Sequence, residues 1–112
     1  MDSILTSIKK LLGIGEEDTA FDMDIIIHIN SVLMILTQLG VGPPDGFTIE
    51  DKDALWSDFV SPDDKSFEAV KTYMYLKVKL VFDPPPGSAV IEVFNNTIKE
   101  LECRLRDAAD SK

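Results

Sequence analysis

One histidine, His28, and one cysteine, Cys103, are the side chains of this sequence best suited to proton transfer, metal ligation or nucleophilic attack. Such chemistry needs several polar groups converging on one point. His28 lies within the apolar run at residues 25–29, with no cysteine or second histidine near it. It reads as a packing or surface histidine. Cys103 has neither a partner histidine nor a second cysteine, so nothing in the sequence supplies the base a nucleophile needs. It reads as a helix residue at or beside a core seam. A lone cysteine cannot close an intrachain disulfide, which suits a reducing cytoplasm.

The acids are the next candidates. Residues 45–64 hold seven carboxylates against one base, Lys52. Paired carboxylates hold calcium or magnesium. Asp51-Lys52-Asp53, however, has neither the glycine nor the distal glutamate of a calcium loop. A solvated acidic surface, or a contact for a basic partner, is the expectation. Gly40-Val41-Gly42 runs into Pro43-Pro44 and cannot open a helix around a phosphate, so it reads as a helix cap and turn. No phosphate loop, dinucleotide fingerprint or zinc spacing occurs. The expectation is no catalytic residue, no metal and no cofactor.

Composition agrees. The chain has 112 residues, enough for one domain and one modest core. Its 45% hydrophobic content argues against disorder. Twenty acids against 11 bases give a net charge of -9, which disfavours tight binding to a phosphate backbone. The same charge lets DNA pass a surface without adhering. Apolar runs are short and interrupted, so neither a signal peptide nor a membrane span is expected.

The elements that must position these residues are helical. Residues 3–12 place Ile4, Leu5, Ile8, Leu11 and Leu12 on one face, with Asp2 or Ser3 as cap and Gly13 as left-handed stop. An acidic linker leads to a second helix at residues 21–39. Its core stripe is Ile25, Ile29, Val32, Leu33, Leu36 and Leu39. Ile26, Ile27, Met34 and Ile35 widen that stripe beyond one face, so the helix must be central or covered by a partner chain. A loop follows, with residues 47–49 read as a short extended piece and a short helix or turn within residues 51–59. Ser61-Pro62-Asp63-Asp64 reads as a helix start, with Ser61 as cap. That third long helix reaches residue 82 with Phe67, Val70, Met74, Val78 and Val81 as core. Tyr73 and Leu80 flank them, and Lys71, Lys77 and Lys79 form a basic side. Pro84-Pro85-Pro86 ends it. Ser88 caps a last helix to residue 106, seamed by Ile91, Phe94, Ile98, Leu101 and Leu105. Residues 107–112 are expected to fray. The fold class is an all-α bundle of four to five helices in a single domain over residues 1–112.

Two readings stand for the aromatic set Phe47, Trp56, Phe59, Tyr73 and Tyr75. They seal the core beneath the loop, or they form a partner surface. With Ile26, Ile27, Met34, Lys71, Lys77 and Lys79 they make up the candidate subunit or partner interface.

Phe21-Asp22-x-Asp24-Ile25, His28-Ile29-Asn30-Ser31 and Gln38-Leu39-Gly40-Val41-Gly42 carry a resemblance to the small head–tail connector (adaptor) proteins of long-tailed bacteriophages and prophages. It continues through Trp56-Ser57-Asp58-Phe59, the stretch at residues 70–85 beginning Val70-Lys71-Thr72-Tyr73, and Ile98-Lys99-Glu100-Leu101-Glu102-Cys103-Arg104-Leu105. It covers most of the chain.

The resemblance implies a non-enzymatic virion protein of the neck, assembled in the host cytoplasm. It implies a homo-oligomeric ring of about twelve copies, which needs a head-to-tail interface. The ring would sit on the portal protein, extend the DNA channel without specific DNA binding, and present a surface to the next neck or tail (stopper) protein. It also assigns portal binding to the C-terminal region, here Ile98, Leu101, Arg104, Leu105 and Arg106. On this view Lys71, Lys77 and Lys79 face an acidic neighbour. The alternative is a small helical adaptor or regulator that binds a host or phage protein through the Trp56 region.

Overall fold

Every long apolar period in the sequence becomes a helix in the computed structural model, which describes residues 3–110. The helices are α1 (Ile4–Leu11), α2 (Asp22–Gln38), α3 (Trp56–Phe59), α4 (Phe67–Phe82) and α5 (Ser88–Asp110). Among the described residues there is no strand, only an isolated antiparallel bridge between Ser3 and Leu55. Residues 47–49 are therefore irregular. The fold is an all-α small bundle.

Ser3 caps α1 by accepting from the Thr6 amide, and Gly13 turns the chain with φ +82. Asp2 lies outside the described residues. Ile4, Leu5 and Ile8 are buried, whereas Leu11, expected on the same face, is exposed.

α4 is the hub. It packs against α2 on one side, α5 on another, and α1. Val70, Tyr73, Met74, Leu76 and Val78 are its buried residues. The expected core residue Val81 is mostly exposed. It lies in the last turn beside an open groove also lined by Leu12, Phe21, His28 and Phe82.

The helix also starts later than Ser61 and Pro62 suggest. Ser61 Oγ accepts from the Asp63 amide at 3.2 Å, and Asp64 Oδ1 accepts from the Ser66 amide at 2.8 Å. These local side-chain bonds hold successive turns and compete with helical pairing.

The molecule measures 39 × 36 × 20 Å. A helix with its side chains is about 10–12 Å across, so the body is roughly two helices thick. In such a plate a helix at the side of the hub, such as α2, has one inward face and one outward face. All six expected core residues of α2, from Ile25 to Leu39, point inward and are buried. The central position proposed for α2 is thus taken by α4, and the outward side of α2 is bare.

The segment between α2 and α4 is held by side chains. The Asn30 amide donates to the Ile49 carbonyl at 3.0 Å, and Asn30 Oδ1 accepts from the Ile49 amide at 2.8 Å. One asparagine thus offers Ile49 the pairing a neighbouring strand would supply, and Ile49 is buried. Gly42 has φ +81, and a Cβ there would collide with the Phe59 ring. Only glycine lets the turn approach that ring so closely.

α5 is helical through Asp110, so residues 107–110 continue the helix that was expected to fray; residues 111–112 lie outside the described residues. Ile98 and Leu105 are its buried contacts, and Ile91, Phe94 and Leu101 are half-buried along the same seam.

Candidate functional site

The expected interface residues separate into two groups. Trp56, Phe59 and Tyr73 are 2%, 3% and 0% exposed. Of the two readings of the aromatic set, these three take the core. Trp56 lies against α1, its indole N–H donating to Ser7 Oγ at 3.1 Å. Phe59 packs beside Phe47 with ring centroids 5.5 Å apart. Tyr73 donates its hydroxyl proton to Glu102 Oε2 at 2.6 Å and so joins α4 to α5. Burial, then the acceptor carboxylate, raise its pKa well above the ordinary value of 10.0. The Trp56 ring itself is enclosed in the folded chain and is not a surface side chain. Phe47 and Tyr75 remain half-buried.

The proposed portal-binding set divides in the same way. Ile98 and Leu105 belong to the core, because their helix face is the one that meets α4. Leu101 is half-buried, and Arg104 and Arg106 are exposed. Arg104 pairs with Glu100 on the same helix at 2.5 Å.

The basic side of α4 is also revised. At about 100° per residue, Lys71 and Lys79 lie within roughly 80° of each other, while Lys77 lies roughly 160° from Lys79. Three lysines at this spacing cannot form one face. Lys79 pairs with Asp83 at 3.0 Å, and Lys71 approaches Glu68 at 3.8 Å and the Phe67 ring at 5.0 Å.

The outward face of α2 holds the most exposed apolar residues. Met23 is 77% exposed, Ile27 57% and Met34 58%. They fall opposite the buried stripe, spaced by four and seven residues. Ile26 lies on the shoulder between the two faces and is half-buried. Beside the first turns of this face lies a groove of about 750 Å³, lined by Leu5, Met23, Ile26, Ile27 and Ile49 with acids at its edge.

One wall of the groove holds an ion pair, buried on its lysine side, that the sequence did not announce. Lys9 is 3% exposed. Its ammonium sits 2.8 Å from Asp22 Oδ1 and donates to the Glu16 carbonyl at 3.2 Å. Lys9 therefore fixes the acidic linker and the first turn of α2 onto α1. Lys9, in the last turn of α1, thus serves as a tertiary clamp.

No reactive constellation forms around the lone histidine or cysteine. His28 is half-buried among Phe21, Asp24 and Phe82. Cys103 is exposed, off the core seam, with its sulfur 4.0 Å from Asp107. Among the described residues, no three His, Cys, Asp or Glu side chains cluster so as to hold a metal ion. No described helix is long and apolar enough to cross a membrane.

What this geometry offers is an exposed apolar face on α2 with an acid-edged groove beside it. No curated protein and no solved structure matches the chain. The model of one family, described as phage connector protein, matches residues 4–112. That match takes in every helix described above, and the chain belongs to the phage connector proteins.

Proposed function

We propose that the chain is a subunit of a homo-oligomeric ring that docks on the portal, extends the DNA channel and presents a surface to the next neck or tail protein. Membership of the phage connector proteins makes it a structural virion protein of a non-enzymatic family. The observation that carries the finer reading is the outward apolar face of α2. Met23, Ile27 and Met34 are too exposed to serve the fold of one chain. Aligned apolar surface of this kind marks association sites. A closed ring requires two different contact faces on each subunit.

The net charge of -9 suits a channel through which DNA slides. Portal docking is assigned to the exposed side of α5, where Arg104 and Arg106 project, rather than to Ile98 and Leu105. Assembly takes place in the host cytoplasm, and the finished ring resides in the virion neck.

Electron microscopy of the purified chain, alone and mixed with its portal, tests this reading. Rings, or portals carrying an added tier of density, are the expected result. A chain that stays monomeric and leaves portals undecorated contradicts it.

A further inference from the structure

We infer that neighbouring copies meet head to tail across the two flanks of α1, the acid-edged groove of one copy set against the surface that carries the exposed Leu11 beside Lys10 and Lys71 on the next. This inference rests on the ring reading above and assigns its faces. The occupant is a second copy of this chain, and charge identifies it.

On one flank of α1, the groove floor is Met23, Ile26 and Ile27, and its edge carries Glu16, Glu50 and Asp51. All three acids are exposed, and among the described residues Glu16 and Glu50 have no ion pair. Lys9 is engaged by Asp22, and Lys52 is the other base lining that groove. On the other flank, a depression of about 570 Å³ is lined by Lys10, Leu11, Lys71 and Tyr75, with Glu68 at its border. Leu11 is 53% exposed, and Lys10 is exposed with no ion pair among the described residues. Thr6 lines both surfaces, so one short helix organises the two.

Charge sets the orientation. If two copies met groove to groove, symmetry would place Glu16, Glu50 and Asp51 of each near those of the other. Like charges brought together in this way oppose association. Groove against the Leu11 surface instead sets these acids near Lys10 and Lys71 and covers exposed apolar side chains on both copies. The two surfaces differ, as a closed ring demands.

The test uses the full chain with Cys103→Ser, under the conditions in which the unmodified chain assembles. One preparation carries Met23→Cys and another Leu11→Cys, both at exposed positions. Oxidation of the mixture is expected to give a disulfide-linked heterodimer, with no dimer from either preparation alone. Glu50→Lys with Asp51→Lys is expected to abolish assembly, as is Lys10→Glu with Lys71→Glu. Mixing those two variants is expected to restore contact between them. Rings without the mixed cross-link, or a dimer of Met23→Cys alone, overturn the assigned faces and leave the ring reading standing. Failure of the unmodified chain to assemble, alone or on portal, overturns both.

Discussion

The two faces of α2 are built from the same kinds of side chain and have opposite fates. Ile25, Ile29, Leu33 and Leu36 on one face are fully enclosed, while Met23, Ile27 and Met34 on the other stand in solvent. Composition does not distinguish them. Their surroundings do, since α4 and α1 pack against α2 on its inner side while Met23, Ile27 and Met34 stay exposed on the other. An apolar helix surface is therefore a statement about the assembly as well as about the chain. The inner face should govern stability and the outer face should govern association.

The largest separation is expected from Leu36→Ala on the inner face. Removing a fully buried leucine side chain should cost about 2–5 kcal/mol, read by denaturant unfolding of the isolated chain. A loss below about 1 kcal/mol would mean that the inner face is less closely packed than described.

Gly42→Ala should come next. It forces a left-handed backbone on a residue with a Cβ and drives that Cβ into the Phe59 ring. Backbone strain alone is worth about 1–3 kcal/mol, and displacement of the ring adds to it. A melting temperature equal to the parent's would refute the close approach.

Tyr73→Phe removes the hydrogen bond to Glu102 and should cost about 1–2 kcal/mol. Its pH dependence is more telling. The tyrosine pKa is higher folded than unfolded, so its contribution is complete below the unfolded value near 10.0 and is lost as pH rises beyond it. Stability of the parent should thus fall above that pH, and Tyr73→Phe should lack that part of the decline. Identical alkaline profiles for the two would argue against the buried Tyr73–Glu102 bond.

The smallest effect on folding is expected from Met34→Ser. An exposed position of this kind should change stability by no more than about 0.5 kcal/mol. Chemical denaturation checks it, and a loss comparable to that of Leu36→Ala would remove the distinction between the faces.

Helix number, helix order, the inner stripe of α2 and the proline stop before α5 were all legible in the sequence, because each depends on local periodicity or backbone chemistry. What was not legible depends on distant partners. The paired hydrogen bonds of Asn30 with Ile49 and the contact of Lys9 with Asp22 join residues whose spacing carries no pattern. Ser61-Pro62 misled because the same residues that cap helices also close turns. The aromatic set misled in part because loop position suggested exposure, whereas Trp56 is enclosed beside Ser7 of α1. Of the candidate surface, Ile27 and Met34 were legible as excess apolar area on α2. Met23 was missed, although its place one turn before Ile27 signalled the same stripe.

The most direct measurement of the central claim is assembly by Ile27→Asp, followed by mass photometry with portal present and paired with a melting curve of the isolated chain. The account predicts an unchanged melting curve and loss of the assembled species. Normal assembly by this variant, with the charge placed in the middle of the outer face of α2, would contradict it.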